Sequence, residues 1–342
     1  MWEKTPPVNA LAHVGKRVVF RKPNMVEIEE FEIPPPGPGE VLIRTISSLI
    51  SPGTETAFLQ ALPNTPKHFP QYPGYSNAGI VIDVGEGVKG LRKGDRVVSP
   101  AQHASVVVMK DTLAYKIPKG ISFDEASFFN LISIALQGVR RALLGIGESV
   151  LVLGLGLVGQ LALQLSRLNG AIPLIGVDLY DYRLDVAKRL GADYVINPRR
   201  DDLISEVMKL TEGKGVDVVI EATGNPECIP IAFKLAGTCG RVILLGSARG
   251  SNTINFYSEV HRRGLFIIGA HNSARPTHES HKLFWTKHDD CLLALRLIAS
   301  KRVNVNELIS LRMGYRRAPE AYEKLIKAKN EVLGIILKWE DA

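Results

Sequence analysis

Hydrophobic positions fall along the chain in two textures. Before Phe123 the apolar runs are short and punctuated by Gly and Pro. Residues 18–33 alternate, and further runs cover 41–46, 80–84, 97–98 and 105–109. Between them Pro34-Pro35-Pro36-Gly37-Pro38-Gly39-Glu40 reads as a rigid turn. Residues 51–55 and 72–79 read as loops. Short strands with this punctuation predict an all-β unit. From Phe123 helical spacing takes over, with a helix predicted over 124–144. Buried runs at 149–153, 172–177, 194–196, 216–221, 241–245 and 265–268 then alternate with helical stretches, among them 183–190 and 203–210. Asn225 is placed to cap another helix, with Pro226 at its first position. Such alternation predicts a parallel sheet covered on both faces. After a His-bearing segment, 271–288, come helices at 290–300 and 319–328 and a strand at 332–338. These last elements are too few for a domain and are expected to return to the first β unit.

One stretch, 149–178, carries specific chemistry. Gly154, Gly156 and Gly159 follow directly on an apolar strand. Leu161, Leu165 and Leu168 recur at helical spacing, and Asn169-Gly170 ends the helix. Gly154 allows a tight turn, Gly156 lets the backbone approach a pyrophosphate, and Gly159 lets helix and strand pack closely. The helix N-terminus then faces the phosphates. Asp178 lies 19 positions after Gly159, where a carboxylate can take the ribose hydroxyls of an adenosine. This context predicts dinucleotide binding.

At 342 residues the chain implies two domains. No apolar run approaches the roughly 20 residues that span a bilayer. Met1 to Lys16 lacks a signal-peptide core, so a cytoplasmic protein is expected. The net charge is +7, but basic residues cluster only as pairs such as Arg199-Arg200, Arg262-Arg263 and Arg316-Arg317. Without a basic run or an aromatic platform, no nucleic-acid partner is expected. Cys228, Cys239 and Cys291 form no C-x-x-C, which suits a reducing compartment and argues against a structural zinc site.

Motifs matching one known pattern run nearly end to end. They are Pro36-Gly37-Pro38-Gly39-Glu40-Val41, the stretch Ser51 to Glu55, Pro73-Gly74 with Gly79, Gly94-Asp95-Arg96-Val97, Gly154 to Gly159, Asp217 to Gly224, and Arg241 to Gly246. Through them the chain resembles the medium-chain dehydrogenase/reductase superfamily, which includes zinc alcohol dehydrogenases and zinc-free quinone reductases. The resemblance implies an α/β protein: a Rossmann doubly wound parallel sheet at 130–271, and a GroES-like β-barrel domain built from 1–129 and 272–342. It implies an active site in the cleft, and a homodimer or homotetramer joined along 265–268. The sequences Ser51-Pro52-Gly53-Thr54-Glu55 and Pro73 to Gly79 also resemble a branch of bacteriochlorophyllide-type dehydrogenases.

The departures are informative. Where zinc members carry a ligating Cys, this chain has Ser51 or Pro52. Where they carry His it has Tyr75, and at the third ligand position the best match is Asn130. Catalytic zinc takes three ligands from Cys, His and carboxylate. The Cys-rich loop expected between Val98 and Ser105 is absent as well. A zinc-free enzyme, with no metal ligands, is therefore expected.

Asp178 favours NAD over NADP, since a carboxylate repels a 2′-phosphate. Arg183 either stacks on adenine or is a surface helix residue. The resemblance puts Leu157 and Val158 behind the nicotinamide, Thr223 and Gly246 along the cofactor, and Ala270 and His271 near the carboxamide. Thr223 is otherwise strand-end turn chemistry. Without zinc, hydrogen-bond donors must stabilise a developing alkoxide. Tyr75, Ser51 and Thr54 are the candidates, though Tyr75 could equally be a ring filling the vacated metal cavity. Glu55 is a candidate base or a salt-bridge partner, and His103 belongs near the cleft. His271, His278, His281 and His288 match no metal spacing and read as loop histidines. The leading expectation is a zinc-independent NAD(H) oxidoreductase acting on an alcohol or carbonyl of a small molecule. The rivals are an NAD(P)H-dependent enoyl or quinone reductase, and a non-enzymatic dinucleotide- or RNA-binding protein that kept the fold.

Overall fold

The computed structural model describes residues 13–340. The first 12 residues, which make up most of the Met1–Lys16 stretch read above for a leader, lie outside them. A hairpin opens the described chain, β1 (His13–Lys22) and β2 (Met25–Ile33). Strand β3 (Glu40–Leu49) leads into helix α1 (Pro52–Leu59). Strands β4 (Asn77–Val84), β5 (Arg96–Ser99), β6 (Val106–Lys110) and β7 (Tyr115–Lys116) follow, then helices α2 (Phe123–Ala126) and α3 (Phe129–Arg141). The second half alternates: β8 (Val150–Leu153), α4 (Leu157–Leu168), β9 (Leu174–Val177), α5 (Asp181–Arg189), β10 (Tyr194–Ile196), α6 (Leu203–Leu210), β11 (Val216–Glu221), α7 (Cys228–Leu235), β12 (Ala236–Leu244), α8 (Phe256–Glu259) and β13 (Phe266–Gly269). The chain ends through α9 (Lys287–Ala299), β14 (Ile309–Gly314), α10 (Ala318–Lys327) and β15 (Gly334–Lys338).

The alternating half forms one six-stranded sheet, ordered β10-β9-β8-β11-β12-β13, with every pairing parallel. Its order reverses direction at β8, the position where doubly wound sheets bind ligands. Val150, Leu151, Val152, Val218, Val219 and Ile220 are fully enclosed, as helices on both faces require. A second sheet runs β14-β15-β3-β4-β5-β7, with β6 also paired to β3. The C-terminal strands thus sit beside β3, as the count of elements required. The Rossmann-plus-GroES-like expectation is borne out.

Helix α3 stands between the halves and is buried along most of its length. Leu131, Ile132, Ala135 and Val139 pack with Leu161 and Leu165 of α4 and with Leu295 and Ile298 of α9 in one apolar cluster. Each of the Leu, Ile and Val side chains among them contributes about 1.5–3 kcal/mol through burial.

Three sequence expectations are corrected. Residues 51–55 are not a loop but the start of α1. Pro52 suits the first helical turn, and the Glu55 carboxylate reaches back to accept the Ser51 N–H at 2.8 Å. The helix expected over 124–144 is broken into α2 and α3. There the Ser127 hydroxyl donates to the Asp124 carbonyl at 2.7 Å, competing with regular helix bonding. Helix α7 begins at Cys228, because the Asn225 side chain accepts the Glu227 N–H at 3.2 Å and closes a turn instead. Strand β14 was not foreseen, although Ile309, Leu311 and Met313 alternate along it with Ser310 and Arg312.

Asp124 ties helix α2 to three adjacent strands. It accepts from Ser47 on β3 at 2.6 Å, Arg312 on β14 at 2.6 Å and Lys338 on β15 at 2.9 Å. Burial pushes its carboxyl up, but the Ser47 hydroxyl and the two cations outweigh this and hold it below the ordinary aspartate range. A depressed carboxyl stabilises the fold above its unfolded pKa, and that contribution is lost as pH falls through the folded value. Asp124→Asn is therefore expected to cost about 2 kcal/mol at pH 7, discounted for the half-exposed Arg312. In urea titrations the difference from the parent should shrink below about pH 4; a pH-independent difference contradicts this account.

Candidate active site

The three glycines do separate jobs. Gly154 has φ +92°, and a Cβ there would lie 2.7 Å from the Thr223 methyl. At Gly156 a Cβ would meet nothing within 4 Å, so this backbone is open to a ligand. At Gly159 a Cβ would fall 1.9 Å from the Gly154 carbonyl oxygen, which is how closely α4 packs on its own turn. No side chain caps α4, leaving its first amides for an anion. These residues fit a dinucleotide pyrophosphate.

Asp178 closes the loop from the side. Its Oδ2 accepts the Leu155 N–H at 2.7 Å and its Oδ1 accepts the Tyr180 N–H at 3.1 Å. Arg183 Nη1 lies 3.6 Å from Oδ2, and its guanidinium sits 4.9 Å over the Tyr180 ring. Arg199 also lies over Tyr180, at 5.0 Å. Leu157 is buried, so that a Cβ on Gly334 would lie 3.2 Å from it; Val158 is half-buried beside it. The Thr223 N–H and hydroxyl both donate to Glu221, and its oxygen accepts the Asn225 N–H at 3.0 Å. This is the strand-end turn chemistry open to it from sequence. At Gly246 a Cβ would fall 2.5 Å from the Gly224 nitrogen, another close approach along this edge. Ala270 is buried and donates to the Leu244 carbonyl at 3.0 Å. His271 is exposed, with Nδ1 2.7 Å from the Ser273 hydroxyl.

The other candidates converge on one another. Half-buried Tyr75 donates to the Ser51 hydroxyl, and Thr54 hydrogen-bonds the same phenol. Asn130, from α3, donates to the Tyr75 carbonyl at 2.5 Å. Burial, with the nearby Glu55 carboxylate, pushes the Tyr75 hydroxyl up to about 12. Glu55 and His103 lie behind Ser51, both buried. His103 Nε2 is 3.0 Å from Glu55 Oε2, and its Nδ1 is 2.8 Å from the Ser48 hydroxyl. Tyr322 donates to the same Glu55 oxygen, and Trp339 donates to Ser48 at 2.9 Å. His103 and Glu55 therefore position the wall and do not reach its surface. His271 stands apart from this network.

Ser51 (or its neighbour Pro52), Tyr75 and Asn130, which the family resemblance matches to zinc-ligand positions, do meet in space. They bring a hydroxyl, a phenol and an amide, and Asn130 spends its N–H on backbone. Among the described residues no group of three or more His, Cys, Asp or Glu is arranged to hold a metal ion. This donor set does not fit a catalytic zinc.

Comparison with known proteins agrees with this architecture. Residues 37–119 match the alcohol dehydrogenase GroES-like domain, and residues 158–284 match the zinc-binding dehydrogenase family. The chain belongs to the medium-chain dehydrogenase/reductase superfamily. L-threonine 3-dehydrogenase of Pyrococcus horikoshii is 29% identical over 91% of this chain and 95% of its own. D-guloside 3-dehydrogenase of Shigella flexneri is 29% identical over 72% of this chain and 71% of its own. A putative zinc-binding dehydrogenase from Sinorhizobium meliloti 1021, solved bound to NADP, superposes with a TM-score of 0.82 at 22% identity, covering 95% of this chain and 99% of its own. This superfamily member is an NAD(P)-dependent, alcohol dehydrogenase-like oxidoreductase.

Sequence reasoning missed Tyr322, Trp339 and Ser48, which complete the network from far along the chain. It also missed Asn64 and Arg249. Asn64 Nδ2 donates to the Ala248 carbonyl at 2.9 Å, and Arg249 Nη1 donates to the Asn64 carbonyl at 3.0 Å. Only the Arg-Gly pair after a predicted strand hinted at that loop.

Proposed function

We propose that this protein is a zinc-independent NAD(H)-dependent oxidoreductase that interconverts an alcohol and a carbonyl in a small molecule. The observation that carries the reading is Tyr75 held on Ser51, a phenol and a hydroxyl at positions that the family resemblance matches to zinc ligands. The bound cofactor supplies or receives the hydride. Tyr75, neutral because burial raises its hydroxyl to about 12, donates a hydrogen bond to the carbonyl oxygen. To do so the phenol turns its O–H away from Ser51, whose hydroxyl then donates to the phenol oxygen; as charge develops on the substrate oxygen the phenol delivers its proton there, and solvent resupplies it. Glu55 and His103 fix Ser51 through its backbone and helix. A phenol donor also suits an enolate, so conjugated substrates belong in the same assay. The work divides between a catalytic part at 1–129 and 272–342 and a cofactor part at 130–271. Free Cys228, Cys239 and Cys291 support a reducing, cytoplasmic setting. No described helix is long and apolar enough to cross a membrane.

A panel of alcohols, polyols, aldehydes and enones with both cofactors tests the reading. Turnover of aldehydes or secondary alcohols is expected, unchanged by chelator and with less than stoichiometric zinc. Tyr75→Phe should lower kcat/KM about 100- to 1,000-fold while NADH still binds. Stoichiometric zinc, or an unaffected Tyr75→Phe, defeats the proposal.

NAD preference rests on the Asp178 carboxylate. Because Asp178 also holds the Leu155 N–H, its loss should weaken both cofactors. Selectivity is therefore the informative readout: Asp178→Ala should shift the NADPH/NADH ratio of kcat/KM about ten-fold towards NADPH. An unchanged ratio means that Asp178 does not read the ribose.

A homodimer or homotetramer is proposed along β13. This strand ends the sheet with its outer edge unpaired, and Phe266 and Ile267 are 60% and 37% exposed. Light scattering should report an even-numbered oligomer that Phe266→Lys weakens; a monomeric parent refutes the pairing.

A further inference from the structure

The loop after β12 brings one cation to the cleft. The Arg249 N–H donates to the Gly224 carbonyl at 3.0 Å, which holds the loop at the carboxyl edge of the parallel strands. Its Nη1 crosses to the Asn64 carbonyl on the opposite half, and Asn64 returns a bond to Ala248. Arg249 is half-buried, yet no carboxylate among the described residues pairs with it. Elsewhere, Arg140 and Arg275 share the buried Asp290, and Arg241 meets Glu148. Partial burial of an unpaired cation is costly, and here it pulls the guanidinium below the ordinary arginine range. The charge stands close enough to Tyr75 to act on its hydroxyl.

A fork of donors beside the phenol that handles the reacting oxygen suits an oxyanion held by more than one bond. We propose that Arg249 receives an anionic group, a carboxylate or a phosphate monoester, on the same substrate whose carbonyl or hydroxyl meets Tyr75. The substrate class is then an oxo or hydroxy acid, or a phosphorylated carbonyl or alcohol. This rests on the alcohol/carbonyl reading above. It assigns Arg249 to substrate recognition, separate from the cofactor pyrophosphate at Gly156 and the first turn of α4.

The experiment compares 4-carboxybenzaldehyde and 4-formylphenyl phosphate with neutral 4-carbamoylbenzaldehyde, using NADH-saturated parent, Arg249→Gln and Arg249→Lys. The parent should favour at least one charged aldehyde by about 10- to 100-fold in kcat/KM. Arg249→Gln should bring the ratio near one, chiefly through KM, and Arg249→Lys should keep part of it. The NADH Kd should stay within about two-fold. Equal use of charged and neutral aldehydes by the parent overturns the proposal. So does Arg249→Gln that weakens NADH with the ratio unchanged, since the anion is then the cofactor's. If no aldehyde turns over, calorimetric titration of the NADH-loaded protein decides. Binding of a charged aldehyde by the parent and not by Arg249→Gln upholds the anion site while the carbonyl reading fails. Absence of binding removes both.

Discussion

The wall that carries Ser51 and Tyr75 depends on one buried carboxylate. Glu55 is 2% exposed, and an ion taken that far from water costs several kcal/mol unless donors surround it. It is met by the Ser51 N–H from its own helix, by His103 and by Tyr322 of α10. His103 in turn rests on Ser48, which Trp339 also holds. Satisfying one charge therefore fixes the start of α1, and with it the Ser51 hydroxyl that receives Tyr75. The Ser51–Tyr75 pair is itself uncharged, because the carboxylate that organises it lies one layer behind.

The facing wall is organised by the opposite means. Its shape comes from the absence of side chains at Gly154, Gly156 and Gly159, and from backbone N–H groups. One carboxylate there, Asp178, clasps the loop through Leu155 and Tyr180. The loop is held in shape before any ligand arrives, so little ordering remains to oppose binding. A rigid anion cradle and a layered donor wall thus meet across α3.

How much of this was legible in the sequence follows from range. The cradle is local: strand, three glycines, helix and acid fall within 30 residues, and each has one physical reason to be there. Strand and helix order followed from periodicity for the same reason. Elements failed where side chains overrode it, as when Ser127 broke a helix and Glu55 made a helix of an expected loop. The wall was half legible. Ser51, Tyr75 and Thr54 were singled out by what they replace, but their support was not. Tyr322 sits 267 positions from the carboxylate it caps, and no local pattern marks such a pair. Arg249 lay outside every motif, because its meaning depends on a loop from the other half that only folding brings near.

The Glu55 network has a consequence for the order in which the molecule can be built. The six-stranded sheet has all its strands once Gly269 has been synthesised. The sheet around β3 does not, because β14 and β15 are still to come. Nor does Glu55 have its full set of donors until Tyr322 has emerged, or His103 its full support until Trp339 has. On a ribosome the nucleotide-binding half can thus close first, with the other half left open around an uncovered carboxylate until Tyr322 and Trp339 arrive. The chemistry of this protein is sealed by residues made well after its nucleotide-binding half.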